Sequence, residues 1–399
     1  SKALGLRIFL GNCSASSYSG DFSQRALDRL VELTLSMARA TSEDPASGLP
    51  EAQMLGQYEG DLQLFFPDVA ALSTSGRIDL AKRAEEAALG YDPRIGNSEG
   101  GSFEATTAAK AYANSLGFVG SYRSSYCGLS AAPVAVNGGG MQRDYWYSVA
   151  RQASALDSPE AVGRRAAERA LRKLGARKAP TCRVPVIFDA ETARTLVGHV
   201  FDAVRGDAIY RSASFLAGKL HQPVAGENVT IVDDGLRPRG FGSRPFDDEG
   251  IPASSTPVIE KGVLTNYLLN TYTARKLSLK TTGNAARGVA GPPGVGPKNF
   301  YLAPGTHTAD EMVRSIKQGL YVTELIGFGV NVVTGDYSRG AAGMWIENGE
   351  FAYPVEEVAI AGSLPEMLRN ITMIGSELEF RGAIAAPPVL IEGMTVAGR

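Results

Sequence analysis

Four consecutive residues carry side chains that could do chemistry together: Asp336, Tyr337, Ser338 and Arg339. They offer a carboxylate, a phenol, a hydroxyl and a guanidinium shortly after the apolar segment GFGVNVV. They lie within the glycine-rich stretch 327–354, and glycine tolerates the positive φ angles and close backbone contacts that tight turns need. The stretch therefore predicts a strand, a polar turn, a second strand and a hairpin, with the polar turn as a candidate catalytic or binding site.

Ser338 is the candidate nucleophile of this turn, which we place at 334–340. A serine hydroxyl needs a neighbouring base to react, and no histidine or lysine is adjacent in the sequence. The chain contains no GxSxG nucleophile elbow and no GxxxxGK[ST] phosphate loop. In the alternative interpretation, Asp336 and Arg339 fix the turn and satisfy buried backbone groups without reacting.

The histidines do not form a metal-binding pattern. There are three, His199, His221 and His307, and no two lie within one or two helical turns of each other. A zinc site needs several ligands that converge on tetrahedral positions. His199 lies off the apolar stripe of the helix predicted at 191–204, so we expect it on the surface or in a cleft.

Two acidic clusters could attract a hard cation: Asp233-Asp234 and Asp247-Asp248-Glu249. Carboxylate oxygens are the ligands that such cations prefer. However, the spacing of an EF-hand loop is absent and a glycine follows each cluster. We therefore predict turns at both clusters rather than a cation site.

The composition excludes several classes of protein. The formal net charge of −2 over 399 residues argues against general nucleic-acid binding, which needs a basic surface. No apolar run approaches the roughly 20 residues that cross a bilayer, and the first residues do not resemble a secretory signal. Cys13, Cys127 and Cys182 form no CxxC motif. Few and widely spaced cysteines are typical of a reduced setting, so we predict a cytoplasmic protein.

The elements that must position these residues indicate an α+β fold. Apolar periodicity predicts helices at 22–40, 77–88, 158–175, 191–204, 271–277, 310–319 and 364–370. Strands are predicted at 4–10 and 184–188, as a meander over 95–151, and as hairpins at Lys261-Gly262 and Asn348-Gly349. Because βαβ alternation is absent, we expect mixed or antiparallel sheets with flanking helices. A junction near Pro180 predicts two domains, at 1–179 and 180–399.

Several segments, taken together, resemble one known family. They include GGSFEATTAAKAYANSLGFVGSY, GDAIYRSASFL, PFDDEG, LTNYLLNTYTARKLSLKTTGNA and VTELIGFGVNVVTGDYSRGAAGMWIENGEFAYPVEEVAIAGSLPEMLRNI. In the same order and over nearly the whole chain, they resemble the PmbA (TldE) branch of the TldD/PmbA metallopeptidase family, also described as modulators of DNA gyrase. The resemblance implies a TldD/PmbA-like fold in which the family's first helix and strands are missing from this chain.

The resemblance also implies where a metal site would be. The TldD-type members resemble zinc peptidases with a His-Glu-x-x-x-His helix and a cysteine ligand near the C-terminus. Aligned on Gly206-Asp207, the two histidine positions fall at Val197 and Asp202, and the glutamate position falls at Gly198. The closing segment EFRGAIAAPPVLIEGMTVAG contains no cysteine. The resemblance therefore implies no catalytic residue and no cofactor in this chain, with zinc only in a TldD-type partner.

By the same resemblance, the chain pairs with a TldD-type catalytic subunit around an internal cavity, or forms a homodimer when alone. The complex would cleave unfolded or extended peptides, including gyrase-targeting toxin and antitoxin precursors, so that any effect on gyrase is indirect. Tyr337, Ser338 and Arg339 would contact the peptide. Two alternatives stay open: a peptide-binding module without a protease partner, and a stand-alone hydrolase that uses Asp336, Ser338 and Arg339 with a distant histidine.

Overall fold

Helices and strands are mixed along the chain, as shown by a computed structural model that describes residues 1–398. The helices are α1 (Gln24–Ala40), α2 (Asp68–Ala71), α3 (Thr74–Leu89), α4 (Pro159–Arg172), α5 (Ala190–Val204), α6 (Gly206–Tyr210), α7 (Thr271–Leu277), α8 (Ala309–Arg314) and α9 (Leu364–Arg369). The strands are β1 (Leu4–Leu10), β2 (Cys13–Ser19), β3 (Ile95–Ala113), β4 (Val119–Asn137), β5 (Gly140–Arg143), β6 (Trp146–Ala150), β7 (Cys182–Phe188), β8 (Ile231–Asp234), β9 (Ser255–Glu260), β10 (Val263–Leu264), β11 (Ala285–Ala286), β12 (Gly294–Val295), β13 (Phe300–Leu302), β14 (Gln318–Ile326), β15 (Asp336–Glu347), β16 (Glu350–Ser363), β17 (Ile371–Ile374), β18 (Ile384–Ala385) and β19 (Val389–Ala397). The predicted α+β class is confirmed. Within the described range, no helix combines the length and the apolar character needed to cross a membrane.

Local capping explains where several helices begin. At the start of α1, α3, α4 and α5, a side-chain oxygen accepts a hydrogen bond from the backbone of the first turn; the capping residues are Ser23, Ser73, Ser158 and Asp189. Such a cap typically stabilises a helix by about 1 kcal/mol. The starting points of these helices therefore follow from hydrogen bonds between residues close together in the sequence.

A long antiparallel hairpin dominates the first half of the chain. β3 and β4 have 19 residues each, and β5 and β6 both pair with β4 to complete a four-stranded sheet. We call this the central sheet. Helices α3 and α4 pack together on it, around Leu129, Val162 and Ala166. A Cβ atom on Gly163 would lie 2.1 Å from the carbonyl oxygen of Ala84, so only glycine permits this close helix crossing.

In the second half, five strands close into a ring. The order is β16-β15-β14-β7-β19, and β16 also pairs with β19. All of these pairings are antiparallel except the one between β14 and β7. The ring encloses fully buried large side chains, among them Phe188, Trp345 and Ile360. β17 continues the sheet beyond β19.

Helix α5 lies between the ring and a second sheet of order β10-β9-β8-β13-β18. It contacts β14 and β7 on one side and β13 and β18 on the other. Leu196, Val200 and Phe201 are buried within these contacts. Because α5 has fixed strands on both sides, the side chains along it have defined neighbours.

The helix expected at 310–319 is shorter than predicted. α8 ends at Arg314, and β14 begins at Gln318. β14 is hydrogen-bonded to β15 on one side and to β7 on the other. This strand pairing overrides the local helical pattern of the segment.

The glycine-rich stretch also differs from the prediction. Its first part, 327–333, is a loop between β14 and β15 rather than a strand, and the polar turn expected at 334–340 ends early because Asp336 already begins β15. Gly327 and Gly335 have φ angles of 81° and 84°, which interrupt an extended backbone at both ends of the loop.

The two predicted hairpin tips are present. Lys261 and Gly262 have φ angles of 46° and 81°, and Asn348 and Gly349 have φ angles of 52° and 83°. Two consecutive positive φ angles are what a tight hairpin turn of this twist requires. Here the local sequence signal and the structure agree.

Candidate functional site

The strand geometry of β15 separates the three residues predicted to contact peptide. Successive side chains of a strand point to opposite faces. Tyr337 is only 1% exposed and Arg339 is partly buried on the same face, whereas Ser338 is exposed on the other. The carboxylate of Asp336 is also exposed and accepts a hydrogen bond from the Thr334 hydroxyl at 2.5 Å. Tyr337 and Arg339 can therefore act together, but Ser338 faces elsewhere.

Tyr337 and Arg339 face helix α5 at His199. The imidazole and phenol rings meet edge to face, with centroids 6.2 Å apart. The Tyr337 hydroxyl, the His199 Nε2 atom and the Arg339 Nε atom are each buried without a hydrogen-bond partner in residues 1–398. We call His199, Tyr337 and Arg339 the buried donor cluster. Sequence reasoning missed this cluster, because the apolar pattern of α5 gave no sign that His199 would contact β15.

The electrostatics of the buried donor cluster follow from burial and from one cation. Burial lowers the pKa of His199, the positive charge of Arg339 lowers it further, and Asp202 opposes both effects. Burial also raises the pKa of Tyr337, with Arg339 opposing this change. At neutral pH the cluster therefore carries the charge of Arg339 beside a neutral phenol.

The positions that the resemblance assigns to metal ligands do not fit a metal. Val197 is 3% exposed in the hydrophobic core, and Gly198 has no side chain. Asp202 forms an ion pair with Arg205 at 3.5 Å. Across residues 1–398, no group of three or more His, Cys, Asp or Glu side chains could hold a metal ion. The donor set is therefore unsuited to zinc, which takes nitrogen, sulfur or carboxylate ligands.

A cavity of about 540 Å³ lies between the central sheet and the first half of α5. Its walls include Trp146, Tyr147, Arg194, Glu324 and Arg339. We call it the Arg339 cavity. It combines three aromatic side chains with many charged and polar groups, so it is more polar than a typical pocket for a small organic ligand.

Five basic residues line the Arg339 cavity, and four of them form ion pairs with carboxylates. These pairs are Arg143–Glu99 at 2.9 Å, Arg169–Asp144 at 3.3 Å, Lys173–Glu324 at 2.7 Å and Arg194–Glu191 at 3.1 Å. Arg339 is the fifth, and it forms neither an ion pair nor a side-chain hydrogen bond with any described residue. Its guanidinium is therefore free to bind an anion from outside the chain.

The acidic clusters lie deeper than the sequence suggested. Asp247 accepts hydrogen bonds from the backbone N–H groups of Glu249, Ile251 and Ala285. Asp233 accepts one from the backbone N–H of Lys298. The turn predicted at Asp247-Asp248-Glu249 is present, but Asp233 and Asp234 are the last residues of strand β8, so the turn predicted there begins only at Gly235.

Comparison with known proteins first identifies the class of protein. Residues 67–174 match a family model described as the PmbA/TldA metallopeptidase central domain. Residues 181–398 match the model of the PmbA/TldA metallopeptidase C-terminal domain. The chain is thus a protein of metallopeptidase type in which Val197 and Gly198 of α5 have no metal-binding side chain.

Individual relatives then identify the family. Metalloprotease PmbA of Escherichia coli O157:H7 is 41% identical over 397 residues, a match that covers 100% of this chain and 86% of the relative. A solved structure from Bacteroides thetaiotaomicron, named as a candidate modulator of DNA gyrase, has a TM-score of 0.91 at 27% identity, covering 99% of this chain and 88% of that one. TldE of Thermococcus kodakarensis shares the fold, with a TM-score of 0.88 at 21% identity over 98% of this chain and 89% of that chain. The chain belongs to the PmbA/TldD metallopeptidase family, as its sequence segments indicated.

Proposed function

We propose that this chain is a subunit without metal ligands in a TldD/TldE-type metalloprotease complex, and that it binds extended peptides for cleavage by a TldD-type partner. The observation that carries the proposal is the donor set of α5. By the family resemblance, Val197 and Gly198 occupy the positions at which a zinc peptidase of this family has a histidine and a glutamate, and neither residue can bind zinc or act as a base. In this proposal the catalytic metal comes from another subunit.

Two features of the Arg339 cavity support peptide binding. Among residues 1–398, strand β6 pairs with β4 along one edge and with no strand along the other, and its Trp146 and Tyr147 line the cavity. An extended peptide can pair with a free strand edge through its backbone while its side chains enter neighbouring pockets. The aromatic side chains and Arg339 would then supply contacts to the peptide.

The same proposal covers the setting and the substrates. We place the complex in the cytoplasm, a location that the free thiols of Cys13, Cys127 and Cys182 support. We also propose two domains, at 1–179 and 180–399, which the separate matches of two family models support. Gyrase-targeting toxin and antitoxin precursors are proposed substrates, in keeping with the name of the B. thetaiotaomicron structure.

The decisive experiment compares the chain alone with the chain mixed with a TldD-type subunit from the same cell. We expect no stoichiometric zinc and no peptide hydrolysis from the chain alone. The mixture should form a complex, contain zinc by elemental analysis and cleave an unfolded peptide in an EDTA-sensitive manner. Stoichiometric zinc with EDTA-sensitive hydrolysis by the chain alone would overturn the proposal, and failure to form a complex would contradict the partnership.

A further inference from the structure

The buried donor cluster has three hydrogen-bonding groups and no partner for them. The Tyr337 hydroxyl, Arg339 Nε and His199 Nε2 are all buried, and none is hydrogen-bonded to a described residue. Tyr337 itself is 1% exposed, so bulk water does not compensate its hydroxyl. Native proteins leave only a few buried polar groups unpaired per hundred residues, so three such atoms on neighbouring side chains mark a candidate ligand site.

The chemistry of the three groups is that of an anion site. A guanidinium donates N–H bonds and is always charged, a phenol donates its O–H, and an imidazole with a protonated Nε2 donates an N–H. Bonds from such donors to a carboxylate are shorter and stronger than bonds between neutral groups. No carboxylate of residues 1–398 fills this role: Asp202, whose charge acts on His199, forms an ion pair with Arg205 at 3.5 Å.

The buried donor cluster is accessible to an external anion from the Arg339 cavity. Arg339 belongs both to the buried donor cluster and to the wall of the Arg339 cavity. It is also the basic residue of that wall that has no ion pair within the described chain. A ligand held in the cavity can therefore reach the cluster through the guanidinium.

We propose that His199, Tyr337 and Arg339 form a carboxylate-binding site that anchors the peptide substrate. This inference rests on the proposed peptide-binding function and deepens it by naming the chemical group that is recognised. The carboxylate comes either from the C-terminus of the peptide or from an acidic side chain. Both sources present the same two oxygens to the three donors.

The three histidines make a direct test practical. With ¹³C at the Cε1 position of histidine, the 399-residue chain should give three Cε1–H signals in NMR spectra, one for each histidine. The His199→Gln variant identifies which of them belongs to His199. We expect acetate to move the His199 signal and acetamide to leave it in place. Arg339→Gln should abolish the shift, whereas Ser338→Ala, which alters the opposite face of β15, should retain it.

Peptide binding, followed by fluorescence anisotropy, distinguishes the two sources. The probes are a labelled pentapeptide with a free C-terminal carboxylate, its C-terminal amide, and the same amide with one internal glutamate. We expect the free acid to bind at least about 10-fold more tightly than the plain amide, since one charge-assisted hydrogen bond contributes that much. Tight binding of the glutamate peptide as well would identify an acidic side chain as a second source.

The outcomes separate this inference from the function on which it rests. If all three peptides bind equally well and acetate leaves the His199 signal unmoved, peptide binding stands and the carboxylate site is refuted. If acetate moves the signal but no peptide binds, the anion site stands and the proposed peptide function fails. If the preference for a carboxylate persists in both Arg339→Gln and Tyr337→Phe, these residues do not form the carboxylate-binding site. Thermal unfolding of each variant shows whether the fold is retained.

Discussion

Arg339 is the residue at which a surface-accessible cavity and a buried polar cluster meet. Its neighbours on β15 show how strongly a strand constrains function, because Tyr337 shares its face while Ser338 does not. The stand-alone hydrolase alternative would need Ser338 to reach a histidine. The structure places His199 against Tyr337 instead, on the face away from Ser338.

Removing the Tyr337 hydroxyl should have opposite effects on stability and on binding. The hydroxyl is buried without a partner in the described chain, so Tyr337→Phe removes an uncompensated polar group. We expect the free protein to be unchanged or stabilised by up to about 1 kcal/mol in urea unfolding. Peptide affinity should fall in the same variant. A loss of stability of several kcal/mol would show that the hydroxyl has an internal partner.

Glu249 should make the stability of the protein depend on pH. Burial and the neighbouring Asp247 raise the pKa of Glu249 from 4.5 to about 7. An acid whose pKa is higher in the folded state stabilises the fold below its unfolded pKa of about 4.5. That stabilisation is lost as the pH rises through about 7, because the folded protein must then bury a charge.

The variant Glu249→Gln removes this charge and can still accept the hydrogen bond from the Thr271 backbone N–H. Relative to wild type, its free energy of unfolding should rise by on the order of 1–3 kcal/mol between pH 5 and pH 8. Urea unfolding across this range measures the change. The exposed Glu350→Gln serves as the matched control and should show no trend, and parallel curves for wild type and Glu249→Gln would contradict the prediction.

At the scale of elements, helix crossings and strand pairings decide which glycines are replaceable. In α4, a Cβ on Gly163 would collide with the backbone of α3, at 2.1 Å from the Ala84 oxygen. In α5, a Cβ on Gly198 would have its nearest neighbour at 3.9 Å, the Cδ1 atom of Ile384. The two positions form a matched pair for the same substitution.

We expect Gly163→Ala to destabilise the protein by about 1–3 kcal/mol, because α3 and α4 must move apart. Gly198→Ala should instead stabilise it by about 0.5–1 kcal/mol, since alanine favours a helix interior over glycine. Thermal or urea unfolding measures both. Because Gly198 supplies no catalytic group, its variant should leave peptide cleavage by the complex unchanged, and a large loss of cleavage would contradict the proposal that position 198 has no catalytic role.

Signals that depend on a few neighbouring residues predicted the elements well. Helix α7 coincides with the predicted 271–277. The hairpin tip predicted at Asn348-Gly349 is also present, with two consecutive positive φ angles. The signals failed where distant pairing decides the outcome. Residues 318–319 join β14 because they pair with Glu347 and Ile346 of β15, and no local pattern contains that information.

The site was only half predictable for the same reason. Arg339 could be singled out by its side chain and its polar neighbours in sequence. The contact between α5 and β15 that places His199 beside Tyr337 joins segments far apart in the chain. Periodicity shows that a helix face is buried, but it does not show which strand buries it.

At the scale of the whole molecule, hydrogen bonds and an ion pair made by charged side chains connect the central sheet to the second half of the chain. Arg151 is 8% exposed and donates hydrogen bonds to the carbonyl oxygens of Ser125, Gly240 and Phe241. Ser125 belongs to β4, whereas Gly240 and Phe241 lie in the loop between β8 and β9. Lys110 of β3 adds an ion pair to Asp248 in the same loop.

Arg151→Ala should loosen this attachment and leave several buried carbonyl groups without donors. We expect a loss of about 3 kcal/mol in the free energy of unfolding. The control is Arg183→Ala, whose exposed guanidinium donates to Gly393 on the adjacent strand β19 of the ring; its cost should be about 1 kcal/mol or less. Equal costs for the two variants would show that Arg151 does not fasten the halves together.

The closed ring of strands also sets an order of events during synthesis. β7 ends at Phe188, whereas β19, which pairs with both β7 and β16, begins at Val389. A ribosome must therefore deliver almost the whole second half before the ring can close, and until then β7 presents an unpaired apolar edge. Long-range pairing of this kind slows folding and leaves aggregation-prone intermediates exposed. Cells that make this protein would need to shield the nascent chain until its final strand emerges.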